Sequence, residues 1–510
     1  MSSYDLIALL PEFILTATAV ALMLLGAFGR QGSDRWLSTI TLVGLLAATE
    51  ALLYGRRLPG LAFREMFSVD PFGSYFTLVF LLIAALVTLA SVDYVRRERL
   101  PAGEYYALIL FATVGMALMA SGNELILIFI GLEISSLSSY VLVGFRREAP
   151  GSSEAALKYF LLGSFATAFL LYGIALLFGV TGSTQLTEIR AVLQGGERPV
   201  TAVLPPAAQL PATALPAAQL SWQEAGFPAE LLGLAIALLF VGLAFKISAV
   251  PFQAWTPDVY QGAPAPVAAF LSTGPKAAAF AAFLRIFEYS LPASAAEWSL
   301  LLWGSALLTM FLGNLAALWQ SNLKRLLAYS SIAHAGYMLV AFTAHSEDAI
   351  AAILFYLVAY AFMNIGAFIV VSHLSGRGER FGELDDYAGL GYRSPALAAC
   401  LGVFLLSLIG IPLTAGFLGK FFVFRAALRA DLIWLTVFGV LNSAIASYYY
   451  LRILVAMYMQ EPHGELPVER LGPTTRGVLA VCAIATLLLG VFPQPILRLA
   501  LRAARWFPAG

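Results

Sequence analysis

The chain has 510 residues, 60% of them hydrophobic and only 12% charged, with a formal net charge of zero and a mean hydropathy of +0.83. A soluble domain carries about a quarter charged residues, so the composition excludes an ordinary soluble protein and fits one whose surface faces hydrocarbon. The neutral balance gives no argument for nucleic acid or for an anionic membrane surface. Two cysteines in separate apolar segments, Cys400 and Cys482, and four scattered histidines form neither a disulfide framework nor a metal-ligand spacing.

The first thirty residues, MSSYDLIALLPEFILTATAVALMLLGAFGR, lack the basic n-region and cleavage site of a signal peptide and read as a retained first helix. A spanning helix needs about 20 mainly apolar residues, and this rule predicts an all-α integral membrane protein with about fourteen spans. They fall near 4–28, 36–55, 72–94, 104–121, 123–145, 154–181, 229–250, 263–290, 297–319, 323–344, 347–374, 394–426, 431–459 and 474–499. Basic residues in short loops set the orientation. Arg30, Arg35, Arg96, Arg97, Arg99, Arg146, Arg147, Lys324, Arg325, Arg377, Arg380, Arg393, Arg470 and Arg476 share one side, which is expected to be cytoplasmic. The other side holds Arg56, Arg57, Arg64, Arg190, Arg198 and Arg429, and both termini are expected there, in the periplasm.

The loop at about 182–228 contains LPPAAQLPATALPAAQL, a composition that favours extended chain and cannot bury a core, so it reads as a solvent-exposed insertion without chemistry. A weak repeat is also present. EISSLSSY, ending at Tyr140, resembles YSSIAHAGY, ending at Tyr337; AALKYFLL at 155–162 resembles AAILFYLV at 351–358; and KISAVPF at 246–252 is answered by SLIGIPLTAGFLGKF at 407–421. Two five-helix units are implied, about 104–290 and 297–459, and an odd helix number gives them opposite orientations, as in the inverted repeats of transporters. The expected division is 1–103 for three N-terminal helices, 104–290 and 291–459 for the two repeats, and 460–510 for a C-terminal helix.

Several charges fall inside these spans. Glu133 lies mid-helix beside Ser135, Ser136, Ser138 and Ser139, where a charge costs about 2.5–3.5 kcal/mol even on the mild insertion scale. Lys246 sits five residues before Pro251, and Lys420 follows Pro412 and Gly416. Proline removes a backbone donor, and freed backbone groups survive at membrane depth only inside protein or along a wet cavity. Both helices therefore read as broken, each with a lysine at the break. Lys276 follows Pro275 inside the next span, while Arg285 and Glu288 near its far end read as interfacial. Lys158 and Lys324, near helix starts on the cytoplasmic side, read equally as snorkelling side chains or as points of proton uptake. His334, about ten residues into its helix, is either a packing residue or a group joining two lysines. The energies suit proton movement. A Glu–Lys pair at 4 Å is worth about 4 kcal/mol at an effective dielectric near 20, and moving one charge across 150 mV costs roughly 3.5 kcal/mol.

At these residues the chain resembles a known family. FKISAVPFQAWTPDVYQGAPAPVAAFLSTGPKAAAF, SNLKRLLAYSSIAHAGYMLVAF, ELDDYAGLGYRSP and IPLTAGFLGKFFVF are similar to subunit N of proton-pumping NADH:quinone oxidoreductase, respiratory complex I. The resemblance implies fourteen helices in two inverted five-helix repeats with helices 7 and 12 broken. It also implies proton translocation through Glu133, Lys246, Lys276 and Lys420, and Lys158 matches a further position the family uses. Gln253 departs from the members that carry histidine there. FMN and iron–sulfur clusters are expected in partner subunits and no cofactor in this chain. The implied partners are the other membrane subunits, neighbouring antiporter-like ones among them, and the lipid bilayer, with NADH and quinone bound elsewhere and no nucleic acid. The expected location is the bacterial plasma (inner) membrane. GRGERFG at 376–382 has no preceding strand and is no phosphate cradle. Two other readings remain: a subunit of a multisubunit cation/proton antiporter or membrane-bound hydrogenase, against which TPDVYQGAP argues, and a non-conducting scaffold.

Overall fold

The computed structural model describes residues 3–28, 34–196, 229–462 and 470–507. Arg30, Arg198 and the Pro/Ala/Gln-rich stretch 204–220 lie outside the described residues. In chain order the helices are α1 (Ser3–Ala8), α2 (Leu10–Phe28), α3 (Asp34–Gly55), α4 (Pro71–Arg97), α5 (Ala102–Ser121), α6 (Leu125–Val143) and α7 (Pro150–Thr181). Then come α8 (Leu186–Leu193), α9 (Ala229–Ile247), α10 (Trp255–Gly262), α11 (Ala265–Phe283), α12 (Ala295–Leu318), α13 (Leu323–Phe342) and α14 (Glu347–Leu374). The last are α15 (Leu390–Arg393), α16 (Pro395–Ile409), α17 (Ala415–Arg429), α18 (Ile433–Met459), α19 (Pro473–Val491) and α20 (Gln494–Ala504). One small exception to the all-helical expectation is an antiparallel hairpin, β1 (Gly60–Ala62) with β2 (Phe67–Val69), registered Gly60 to Val69.

Twelve helices among the described residues are long and apolar enough to cross a membrane. The expected span 323–344 is α13, a 20-residue helix outside that set, and 394–426 divides into α16 and α17, of 15 residues each. The expected last span, 474–499, also divides: α19 ends at Val491, and α20 starts beyond Pro493 with Arg498 and Arg502 on an otherwise apolar helix. Helix starts follow local chemistry. Asp70 caps α4 by accepting from the Gly73 amide at 2.6 Å, with Pro71 at the first helical position, and Glu124, Asn322 and Ser346 cap α6, α13 and α14 the same way.

The core forms around α14, whose apolar window is wholly buried and which packs on α4, α11, α13, α16, α17, α19 and α20. The rim helices α2, α7, α18 and α19 show Leu, Phe, Val and Ile on their outer faces. Exposed apolar surface of this extent marks a contact with membrane or with partner subunits. Trp36, Trp319 and Trp434 are at least 70% exposed at helix ends, where interfacial aromatic belts form.

Both expected breaks are present and terminate alike. After α9, Ser248 turns left-handed (φ +65°), its amide bonds Phe245 O at 3.1 Å, and Ala249 N reaches back to Ala244 O at 2.8 Å. After α16, Gly410 turns left-handed (φ +94°), and its amide and that of Ile411 both reach Leu406 O at 3.1 Å. The six-to-one bond in each is a Schellman closure, so two helices stop inside apolar sequence by the device that ends helices in water. Pro251 and Pro412 follow within these irregular segments, both exposed on the isolated chain. The second break is tight: the Gly416 amide donates to Ser407 Oγ at 3.0 Å, and a methyl group on Gly416 would land on the Ser407 carbonyl oxygen. Gly416→Ala is expected to destabilise the solubilised protein by about 1–3 kcal/mol through overpacking. Gly304→Ala, on an open face of α12, should stay within about 0.5 kcal/mol. Equal thermal unfolding of the two variants would mean that the break is not packed in this way.

Candidate functional site

The first cluster joins α6 to the end of α9. Glu133, Ser136 and Tyr140 recur at three- and four-residue spacing on one face of α6. Lys246, in the last turn of α9, donates to Ser136 Oγ at 2.7 Å and to Tyr140 OH at 3.4 Å. Ser136 passes its own proton to Leu132 O, so its hydroxyl accepts at one end and donates at the other. The rings of Tyr140, Tyr159 and Phe245 stand 5.4–5.8 Å from Nζ, a cation–π surround. Glu133 Oε1 is buried without a hydrogen-bond partner. No ion pair joins Glu133 to Lys246 among the described residues; Lys246 bonds the hydroxyls of Ser136 and Tyr140 instead.

The break beside this cluster is satisfied from neighbouring helices. Thr309 Oγ1 of α12 accepts from the Val250 amide at 2.9 Å, and Ser305 donates to Val250 O at 3.0 Å. Trp255 Nε1 donates to Phe245 O, and Thr256 to Ser248 Oγ. Gln253 Oε1 is buried without a partner.

The second cluster is strung along α13. Lys276 of α11 is buried and donates to both the carbonyl and the hydroxyl of Ser331. Three residues on, His334 meets Tyr356 OH through Nδ1 at 2.8 Å and Tyr450 OH through Nε2 at 3.3 Å, and Tyr450 in turn bonds Ser330. Three residues further, the Tyr337 ring lies 4.7 Å from Lys420 Nζ. Lys420 donates to Leu408 O and Ile409 O at 3.1 and 2.9 Å, the last carbonyls of α16. A cation there satisfies orphan carbonyls and the negative end of the helix dipole together. One helix face thus carries Ser331, His334 and Tyr337 between two lysines, and His334 touches tyrosines rather than either lysine. No hydrogen bond or ion pair among the described residues joins Lys246 to Lys276.

Charges nearer the ends are held differently, by carboxylates. Lys158 bonds Glu154 at 2.8 Å and Asp258 at 2.9 Å, and Asp258 also takes Arg325 at 2.6 Å, all partly exposed. Lys324 does not reach out to the surface: it is buried, 2.6 Å from Glu379 and 2.9 Å from Ala263 O. Burial pushes the Glu379 carboxyl up, but Lys324, Arg146 and the Ala265 amide outweigh it and hold it below the usual carboxylate range. Arg285 corrects the expectation of an interfacial residue. It is fully buried, aimed inward by the π-helical turn Leu284–Ser290, with Nη2 2.6 Å from Asp70 and the rings of Phe72 and Trp506 at 5.1 and 4.5 Å. Glu288 instead pairs with His345 at 2.9 Å.

Comparison with known proteins decides what this arrangement belongs to. The membrane-domain family described as "NADH:quinone oxidoreductase/Mrp antiporter, TM" matches residues 122–446. NADH-quinone oxidoreductase subunit N 1 of Solibacter usitatus is 49% identical over 98% of this chain and 97% of its own length. The chain belongs to the subunit N family of NADH:quinone oxidoreductase. A chain of Thermus thermophilus respiratory complex I superposes with a TM-score of 0.77 at 37% identity, covering 96% of this chain and 99% of that one. A chain of the Mrp complex from Dietzia sp. DQ12-45-1b has the same fold (TM-score 0.82, 99% of this chain and 98% of that one) at 19% identity, which speaks to fold alone.

Sequence reading missed Asp258, Glu379, Asp70 and the hydroxyls of Ser331, Tyr356 and Tyr450, since each acquires its partner from 22 or more residues away. Only Asp258 had a signal, lying within the TPDVYQGAP segment that carries part of the resemblance to subunit N. Among the described residues no group of three His, Cys, Asp or Glu could hold a metal ion. Removing one partner of a buried ion pair costs about 3–5 kcal/mol, so Asp70→Leu and Arg285→Met are each expected to lower stability by that order. The double variant should lose less than the sum. Additive losses in thermal unfolding would show that the pair is not coupled.

Proposed function

We propose that the chain translocates protons within respiratory complex I, through Glu133, Lys246, Lys276 and Lys420. The electron transfer from NADH to quinone that drives it takes place in other subunits. The observation that carries this reading is the way the three lysines are held. Each sits at or against a helix inside apolar sequence with hydroxyl or carbonyl oxygens as its hydrogen-bond acceptors, and no carboxylate of the described residues lies within ion-pair distance. An ammonium bound to neutral acceptors can release a proton without leaving a bare anion beside it. Serine and tyrosine hydroxyls donate one hydrogen and accept another, so Ser136, Tyr140 and the Ser331–His334–Tyr337 face supply relay groups. Lys158, Lys324 and His334 are read as uptake or relay positions.

The same reading takes the chain as fourteen crossings: the twelve apolar helices, α13, and α16 with α17 as one broken crossing. Two inverted repeats at 104–290 and 291–459 are supported by the matching Schellman closures and by the lysine–tyrosine pairs Lys246–Tyr140 and Lys420–Tyr337. Residues 1–103 then supply the three preceding crossings and 460–510 the C-terminal one. Both termini are placed in the periplasm and the chain in the bacterial plasma membrane. Its neighbours would be other complex I membrane subunits, antiporter-like ones included, with FMN, iron–sulfur clusters, NADH and quinone all held elsewhere. The alternative of a cation/proton antiporter or hydrogenase subunit has no counterpart to the 49% identity to subunit N; the Mrp chain shares the fold at 19% identity.

Lys246→Ala in the intact complex is expected to lower NADH-driven proton pumping and NADH:quinone turnover together by about tenfold, equivalent to ~1.4 kcal/mol on the limiting barrier. Wild-type pumping by that variant would sink the assignment. Ser136→Ala should lower pumping by a smaller factor, and Ser136→Thr, which keeps the hydroxyl, should restore it. Failure of threonine to restore what alanine loses would remove Ser136 from the relay.

A further inference from the structure

The loop between α14 and α15 has no part in the lysine chain described above, yet it buries a carboxylate among four separate elements. Gly376, Gly378 and Glu379 all take left-handed backbone (φ +67°, +74° and +53°). For a residue with a side chain this costs roughly 1–2 kcal/mol, and here it turns Glu379 down into the bundle, leaving 4% of its side chain exposed. Oε2 lies 2.6 Å from Lys324 Nζ at the start of α13 and 3.1 Å from Arg146 Nη1 in the α6–α7 connection. Oε1 accepts from Tyr94 OH of α4 and from the Ala265 amide, the first of α11, both at 2.8 Å. Arg146 also clasps the loop itself through Gly378 O, and Glu98 accepts from the Gly378 amide.

The consequence lies in what α11 and α13 carry. Lys276 stands eleven residues into α11, and its acceptor Ser331 stands seven residues past Lys324 on α13. Seven residues is close to two turns, so Lys324 and Ser331 share a helix face about 10 Å apart along the axis. A single carboxylate therefore ties together the first turns of the two helices whose contact forms the start of the second cluster. A cavity of about 200 Å³ opens beside it, bordered by Arg146, Gln261, Asn322, Lys324, Ser375 and Glu379. This is room for several waters, with these polar groups set among Ala149, Val371 and several glycines. Below Lys324 the surroundings close to buried side chains.

We propose that Glu379 is a positioning residue of the proton path, holding Lys324 between this water-sized cavity and the Lys276–Ser331 contact and fixing the register of α11 against α13. The proposal rests on the proton-translocating reading above. Glu379 touches no lysine of the membrane interior itself and acts through Lys324 and the α11 amide.

The test uses the intact complex in inverted membrane vesicles. Glu379→Gln keeps the size and hydrogen-bonding capacity of the side chain but removes the charge, and Glu379→Asp keeps the charge with a shorter reach. Assembled complex is counted by NADH oxidation with an artificial acceptor, and protons pumped per NADH are then measured with quinone. Glu379→Gln is expected to assemble but to pump half or fewer of the wild-type protons per NADH, with Glu379→Asp restoring most of the loss. A wild-type ratio in Glu379→Gln, or a loss only in proportion to complex assembled, overturns the proposal. Should the glutamine variant fail to assemble, Tyr94→Phe removes one hydrogen bond from the carboxylate and no charge. A fall in protons per NADH then supports the proposal, and an unchanged ratio overturns it. Lys276→Ala is measured alongside. If it loses pumping while the Glu379 variants keep it, the positioning role falls and the path stands; if all keep it, the path itself falls.

Discussion

Inside hydrocarbon, an unpaired backbone amide or carbonyl has no water to turn to, and each costs several kcal/mol. That constraint explains why the described residues are mostly helical and why the two breaks inside apolar sequence are so heavily furnished with side-chain partners. At the first break, Thr309 and Ser305 reach across from α12 to both polar groups of Val250, and Trp255 reaches back to the helix end. At the second, Ser407 receives the Gly416 amide while Lys420 fills the last carbonyls of α16. Lys420 is thus partly a structural solution to a helix ending in the wrong solvent. A neutral amine could donate to those carbonyls as well, less strongly, so the position tolerates both protonation states.

The buried charges divide into two kinds by depth and by partner. Near the helix ends the cations have carboxylates: Arg285 with Asp70, Lys324 and Arg146 with Glu379. Such pairs are expensive to break from one side, so they hold helices in place. At the breaks and inside α11, Lys246, Lys420 and Lys276 have hydroxyls, carbonyls and aromatic faces as partners among the described residues. The same residue type is held by a carboxylate at Lys324 and by the neutral oxygens of Ser331 at Lys276, so the charge of the acceptor separates the two.

This division also explains which parts of the molecule could be read from sequence. Glu133, Lys246, Lys276 and Lys420 interrupt apolar runs, and a charge in such a run is visible without knowing its neighbours. Pro251 and Pro412 announced the breaks, though not that Ser248 and Gly410 would close them identically. Arg285 was misplaced because its depth is set by Asp70, 215 residues earlier, and by rings from the C-terminal segment. Glu379 sits between two arginines in a glycine-rich loop and looks solvated; only the tertiary arrangement shows its carboxylate turned inward. The last span was drawn too long because α20 continues the apolar composition past Pro493, while its arginines mark a separate helix.

Magnitudes bear on how little has to move for such a chain to work. A hydrogen bond to a charged group contributes about 1.5–3 kcal/mol net, and one elementary charge crossing 150 mV requires roughly 3.5 kcal/mol. Lys276, with two acceptors on Ser331, and Lys420, with two carbonyls at the break, are therefore each held by an amount comparable to the work of one translocation step. Gaining or losing a single acceptor shifts either lysine by a large part of that work. Since Ser331, His334 and Tyr337 are fixed to one rigid helix, a small rotation of α13 alters the contacts of Lys276 and Lys420 together. On the proposed proton path, such a rotation would couple the two lysines through the helix between them, without contact.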